Sequence, residues 1–279
     1  MKLSITLWII AFVLTLAIAV YQRLTGPTHP VKESITLNGT EVKTKFERSH
    51  GGEGDQPVVV ELSSNNLDGN LYWKRYKTND DWNIVEMNKE EKTLTAYLPH
   101  QPPAGKLEYF VKINDENSEA FLPAKPIVTR FKGAVPDFIL IPHIFFMFTA
   151  MLLAFRTGIE IFRKQPKLKQ LTVITVIALG IGGMILGPIV QKYAFGEFWT
   201  GFPNGTDLTD NKTLIAFIGW LIALVAVLKT KKPKFWIAFA TVVMFAVFLI
   251  QHSVMGSELD YNKLDKDKKQ IEQMEDSLK

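Results

Sequence analysis

The residues best suited to chemistry in this chain of 279 residues are two histidines and four carboxylates near the ends of apolar runs. His143 follows Pro142 inside one run, and His252 stands in Gln251-His252-Ser253 at the close of another. Glu197, Asp207 and Asp210 share a polar loop, and Glu258 comes soon after His252. An ionisable side chain within an apolar run is costly unless it faces a polar interior, which makes His143 a candidate site residue. Two imidazoles with a carboxylate form a donor set for zinc or iron. Two imidazoles alone can hold a b-type haem. Such a centre would serve redox or hydrolytic chemistry. No His-x-x-x-His spacing accompanies it, so only topology could assemble the set.

A plainer reading competes at each position. His143 can be a neutral imidazole donating to a backbone carbonyl, such as the one that Pro142 frees at Phe138. Asp207 or Asp210 can N-cap the following helix, satisfying free amides and suiting the helix dipole. Phe195, Phe198, Trp199 and Phe202 in the same loop are of the kind found at a headgroup boundary. His50, in the Gly-rich stretch Ser49–Asp55, and His100, beside Pro99, read as loop polarity. With no cysteine, disulfides, thiolate metal sites and covalent c-type haem are excluded. Catalytic serine, cysteine and nucleotide-binding motifs are missing as well.

The elements that would position these groups are largely membrane helices. Five runs free of charged residues stand out: Leu3–Tyr21, Phe138–Phe155, Leu171–Val190, Leu214–Leu228 and Phe235–Ile250. Spanning a bilayer takes about 20 residues, with a range of roughly 17–25. Lys2 followed by an apolar stretch and Ala17-Ile18-Ala19 also fits a cleavable signal peptide, but the run is long and Tyr21-Gln22-Arg23 reads as an interfacial stop. Arg156, Arg163, Lys164, Lys167 and Lys169 lie between the second and third runs, and Lys229, Lys231, Lys232 and Lys234 between the fourth and fifth. The positive-inside rule puts both loops in the cytoplasm, with the 22–135 region, the 191–212 loop and the C-terminus outside. Glycines at 180, 182, 183 and 187 in the third run suit close helix contact, and Gly187-Pro188 is a place for the helix to break.

Between the first two runs the pattern changes to short alternating strands. Glu41–Phe46, Val58–Leu62, Leu71–Tyr76, Ile84–Met87, Leu94–Leu98, Leu107–Val111, Glu119–Leu122 and Pro126–Phe131 are strand-like. Asn65-Asn66, Asp68-Gly69, Asn79-Asp80-Asp81, Ala104-Gly105 and Asn114-Asp115 carry turn chemistry. Seven or eight strands on this scale suggest a sandwich of immunoglobulin or fibronectin type, with Trp73 in its core in preference to Trp82. The expected layout is an N-terminal anchor or signal peptide at 1–22, a β domain at 23–134, a four-helix membrane domain at 135–255 and a charged tail at 256–279. In that tail Leu264, Ile271, Met274 and Leu278 have heptad-like spacing. Acidic and basic residues nearly balance in the β domain, so no nucleic-acid footprint is visible.

The stretch Trp199-Thr200-Gly201 through Asp207-Leu208-Thr209-Asp210-Asn211-Lys212-Thr213, with His252-Ser253 and Gly256-Ser257-Glu258-Leu259-Asp260-Tyr261, resembles a family of bacterial inner-membrane proteins with an outer β domain and a C-terminal helical bundle. The resemblance covers most of the chain and implies no activity, cofactor or catalytic residue. The expectation is a non-enzymatic binding, scaffold or assembly component whose partners are the bilayer and other envelope proteins. The alternative is a metal or haem protein built around His143 and His252.

Overall fold

Apolar runs uninterrupted by charge become helices, and the alternating segment becomes sheet. The computed structural model describes residues 2–64, 67–115, 118–251, 254 and 256–277. The chain divides into two units, Met1–Pro27 with Val135–Ser257, and Thr28–Ala134 with Glu258–Lys279. The tail therefore belongs to the β unit.

The helical unit contains α1 (Lys2–Thr25), α2 (Asp137–Glu160), α3 (Leu168–Leu179), a π-helical segment (Gly180–Leu186), α4 (Gly187–Phe195), α5 (Leu208–Lys229) and α6 (Pro233–Leu249). Leu3–Thr25, Asp137–Glu160, the continuous Leu168–Phe195 and Leu208–Lys229 are long and apolar enough to cross a membrane. The fifth expected span forms the shorter helix α6, whose 17 residues reach about 25 Å at roughly 1.5 Å per residue, against a hydrocarbon core of about 30 Å. Small residues let these helices approach. Ala150, Ala154, Ala216, Ala223 and Ala240 are buried around Trp220 and Met244, and the Trp220 Nε1 donates to the Met244 sulfur at 3.1 Å. Helix α1 packs as part of this core through Ala11 and Ile18.

Two expectations are corrected here. Arg156 is no loop residue: it is 2% exposed within α2, donating from Nη1 to Glu160 Oε2 at 2.5 Å. The apolar run stops at Phe155, yet the helix continues because the i,i+4 spacing lets the two charges meet. Nor does Gly187-Pro188 break the third helix. A prolyl ring crowds the carbonyl four residues back; the preceding π turn widens the backbone there, and Pro188 falls in the first turn of α4. The glycines serve packing. A Cβ on Gly182 would lie 3.0 Å from the Met147 nitrogen, and one on Gly183 would lie 2.7 Å from Thr213 Cγ2.

Unit two has strands β1 (Val31–Leu37), β2 (Thr40–Phe46), β3 (Ser49–Gly51), β4 (Gln56–Leu62), β5 (Asp68–Arg75), β6 (Asn83–Glu86), β7 (Asn88–Glu90), β8 (Thr93–Leu98), β9 (Lys106–Asn114) and β10 (Glu119–Lys132), then helix α7 (Tyr261–Ser277). They form two five-stranded sheets, ordered β1-β2-β4-β8-β7 and β3-β10-β9-β5-β6. One core joins both, including Val42, Val58, Val60, Leu94 and Leu98 from the first and Leu71, Leu107, Tyr109, Val111, Ile113 and Phe131 from the second. Trp73 packs against that core, as expected. Among the described residues there are ten strands rather than seven or eight. β3 and β7 are three residues long, too short for a period to register, and β1 is a third strand beyond those expected, its inward-facing apolar positions interrupted by Glu33. The two segments expected at 119–122 and 126–131 are one strand whose register shifts between Leu122 and Ile127. Asp68-Gly69 opens β5 instead of forming a turn. Glycine is needed there because a Cβ would sit 3.0–3.1 Å from Ile113, Leu94 and Met87.

Gly183→Leu should destabilise the helical unit by about 1–3 kcal/mol, the usual cost of overpacking. The thermal unfolding midpoint of the detergent-solubilised protein would report it; an unchanged midpoint and unchanged assembly would refute the packing role.

Candidate functional site

The carboxylates of the α4–α5 loop are gathered by the first turn of α5. Asp207 caps the helix, accepting from Thr209 N at 2.7 Å. Its second oxygen accepts from Ser257 N at 2.8 Å and Ser257 Oγ at 3.0 Å. Asp210, one turn on and 7% exposed, reaches back to the loop. Its Oδ2 accepts from Thr200 N at 2.7 Å, Gly201 N at 3.0 Å and Gln191 Nε2 at 2.9 Å. Thr200 Oγ1 lies between the two carboxylates, 3.3 Å from Asp207 and 3.4 Å from Asp210. Asn211 Oδ1 accepts from Phe202 N at 2.7 Å. The Asp-x-x-Asp-Asn sequence is thus a staple that folds residues 200–202 onto α5. A carboxylate taking several charge-assisted bonds is a firm anchor.

Lys212, in the first turns of α5, is 2% exposed. It donates to the Ile250 carbonyl at 2.8 Å and lies 5.9 Å from the Phe248 ring. Gln22 of α1 donates to the carbonyls of Phe248 and Ile250. The carbonyls left over at the C-terminal end of α6 are thereby satisfied from α5 and α1, with a cation where the helix dipole favours one. His143 is engaged through Nδ1 at 2.9 Å from the Gly182 carbonyl, in the π segment. The plainer reading of a backbone partner has the right chemistry and the wrong carbonyl, since Phe138 is not that partner.

Of the six sequence candidates, Asp207 and Asp210 come together, whereas Glu197 is exposed on the loop. Glu258 belongs to the β unit, and His252 lies outside the described residues. Among the described residues no group of three or more His, Asp or Glu is arranged to hold a metal ion.

In the β unit, Glu258 pairs with Lys106 at 2.6 Å and Lys77 at 2.9 Å. Leu259 N donates to the Ala104 carbonyl at 3.1 Å. Tyr261 is 4% exposed; its hydroxyl accepts from Lys106 N at 3.1 Å and donates to Gln101 Oε1 at 2.9 Å. Arg75 lies over the Tyr261 ring and binds both Asp80, at 2.6 Å, and Asp265, at 2.8 Å. Residues 258–265 are therefore a docked strap, and only the remainder of α7 is the solvated helix that its charge suggests, with Ile271 and Met274 exposed. Burial pushes the Tyr261 hydroxyl up to about 12. Burial also raises Glu258, but the bonds and charges of Lys106 and Lys77 outweigh it and hold the carboxyl below its ordinary value. The Arg75 hydrogen bond lowers Asp265 in the same way.

The outer face of the second sheet carries a cluster of aromatic and apolar side chains. Tyr72 stands opposite Phe110 on β9 and Ile84 on β6. The Tyr72 and Phe110 rings stack at 4.8 Å, Trp82 meets Phe110 edge-on at 4.9 Å, and Phe121 lies 5.8 Å away. Ile84 is 60% exposed and Phe121 48%. Lys74 lies over Trp82 and pairs with Glu108 at 3.9 Å; Lys112 lies over Phe121 and pairs with Glu119 at 2.5 Å. Beside Tyr72 runs an open groove of about 500 Å³ lined by Asn70, Lys112, Asn114, Asp115, Ser118 and Glu119. The sequence hid this face, because its rings come from three strands and a loop. His50 and His100 are likewise brought together: a ring nitrogen of each lies 3.1 Å from the Gly54 carbonyl, and both rings pack edge-on to Phe131.

No family model and no curated protein matches the chain. Among solved structures, the FN1–FN3 domains of chicken CNTN1 are similar at 14% identity over 32% of this chain and 38% of that one, with a TM-score of 0.21. A likeness that slight carries no argument.

Asp210→Ala strands several buried donors at about 1–3 kcal/mol each, so a loss on the order of 2–4 kcal/mol is expected. Chymotrypsin should cut at Phe198 or Trp199 several-fold faster in the variant; equal rates would show that the staple is dispensable. Lowered carboxyl values stabilise the docked strap above the unfolded-state values of about 4 and lose that contribution as pH falls through the folded values. Exchange protection of the Leu259 and Lys106 amides should hold between about pH 7 and 5 and fall away below about pH 4. Protection that stays unchanged below about pH 4 would contradict the ionic docking.

Proposed function

We propose that this chain is a multi-pass protein of the bacterial inner membrane that presents its β unit outside the cytoplasm as a non-enzymatic binding component for other envelope proteins. The observation that carries the reading is the aromatic cluster on the outer face of the second sheet, where half-buried Tyr72, Trp82 and Phe110 adjoin exposed Phe121 and Ile84. Contiguous apolar patches bounded by polar groups mark interaction surfaces, and aromatic rings dominate the energetics of such surfaces. The neighbouring ion pairs supply the polar rim that an interface of this kind has.

Several features support the membrane arrangement. Helix α6 completes a fifth crossing if its polar flanks are included, and the burial of Ala11 and Ile18 argues that α1 stays with the bundle after synthesis. Removing Arg156 from the basic loop leaves Arg163, Lys164, Lys167 and Lys169 there, which keeps the charge asymmetry that orients the chain. For the β unit, the orders β2-β4-β8-β7 and β10-β9-β5-β6 follow the A-B-E-D and G-F-C-C′ sheets of an immunoglobulin-type sandwich. The resemblance to bacterial inner-membrane proteins with an outer β domain agrees with this reading and rests on the quoted residues alone.

Affinity capture of the tagged full-length protein in mild detergent, after crosslinking in cells, should recover a stoichiometric partner. Tyr72→Ala with Phe110→Ala should lose it at least about tenfold, since aromatic anchors at interfaces contribute 2 kcal/mol or more, while leaving the inner core intact. Recovery of the protein alone would contradict the reading.

A further inference from the structure

The end of the helical unit where α2 meets α3 and α5 meets α6 carries charge of one sign. Residues 161–170 and 229–234 contribute four Lys or Arg each and no acidic residue. On the membrane reading, consecutive crossings alternate in direction, which brings both connections to the same end. Every lysine in them is exposed. The carboxylate that the fold supplies there, Glu160, is wholly buried. It is already shared by Arg156 at 2.5 Å, Arg163 at 3.1 Å and the Lys167 amide at 3.0 Å. Arg156 is itself 2% exposed, and its Nε has no partner among the described residues. The Glu160 carboxylate thus serves two guanidinium groups, and the cluster is left cationic.

Rings surround this end. Phe162 is 84% exposed, Phe235 64% and Trp236 36%, and Trp8 of α1 covers the Arg156 guanidinium at 5.3 Å. Aromatic side chains settle at headgroup depth, beside the phosphates. A surface that is cationic, rimmed by exposed rings and closed by apolar helices matches an anionic lipid leaflet in charge and in polarity. A nucleic acid or an acidic peptide would gain nothing from the apolar helix surface that closes this end.

We propose that this end binds the phosphodiester headgroups of anionic phospholipids, with Arg163 and Lys167 as the principal contacts, Lys164, Lys231 and Lys232 as supporting charges, and Glu160 positioning Arg163. Arginine presents five donors in a fixed fork that suits phosphate oxygens, and Nη1 on Glu160 fixes the orientation of the rest. The inference rests on the membrane reading above and adds a ligand class to it.

The test uses full-length protein purified in mild detergent and moved into nanodiscs of phosphatidylcholine, alone or mixed with phosphatidylglycerol. Phosphatidylglycerol is expected to remain bound through gel filtration, detected by native mass spectrometry, and to raise the unfolding midpoint in low salt, with the effect shrinking as salt screens the charges. Arg163→Gln with Lys167→Gln should cut lipid retention several-fold, and the surface pair Lys231→Gln with Lys232→Gln should cut it less. Equal retention of both lipids, or full retention by the Arg163 and Lys167 variant, overturns the proposal. So does displacement of the lipid by inorganic phosphate at millimolar concentration, which would indicate a site for the free anion. Failure of the membrane reading looks different: the protein would leave the membrane fraction in alkaline carbonate. Retention there without lipid preference removes only this inference.

Discussion

A backbone or charged group inside an apolar helical unit has no water to turn to, so each must find its partner within the protein. That constraint organises the helical half of this chain. The widened turn at Gly180–Leu186 accommodates Pro188, and a carbonyl of that turn is taken by His143. The end of α6 stops without a capping residue of its own, and Lys212 and Gln22 answer its carbonyls from two other helices. Asp210 gathers the amides of a loop that would otherwise leave them unpaired. At the opposite end, Glu160 balances guanidinium groups that could not remain alone. Polar residues that look like a scattered constellation of ligands are, one by one, the means by which apolar helices end, turn and connect.

The β unit obeys a different rule. Its inner faces close over a core of aliphatic residues with Phe46, Tyr109 and Phe131, while the outer face of one sheet carries half-buried Tyr72 and Phe110 and exposed Phe121. Nothing in sheet stability demands large rings on a solvent face, although cross-strand pairs such as Tyr72 with Phe110 do strengthen the ladder. The strap 258–265 spends its one buried ring, Tyr261, on the domain itself. Surface with no such internal use remains on the Tyr72 face, which is why the binding role is assigned there.

Much of the architecture was legible from periodicity. Charge-free runs marked the helices, and alternation marked most strands, including Trp73 inside and Trp82 outside. What could not be read shares a cause: it depends on residues far apart in sequence. Arg156 looked like a loop cation because its partner lies one turn beyond the apolar run. Gly69 looked like a turn because the side chains it makes room for, Leu94 and Ile113, are distant. The aromatic face draws on residues 72, 82, 110 and 121, and no local window contains it. Asp207 was the exception, since an N-cap is a local device and its role was readable.

The chain has no cysteine, so a single Glu86→Cys places one reporter on β6, at an exposed position on the same sheet face as Tyr72. Intact cells would be treated with a membrane-impermeant maleimide bearing a photo-crosslinker, then irradiated. The account predicts labelling without opening the inner membrane and a discrete crosslinked protein adduct that disappears when Phe110→Ala is added. Labelling only after the membrane is opened, or an adduct indifferent to the loss of the Phe110 ring, would contradict it.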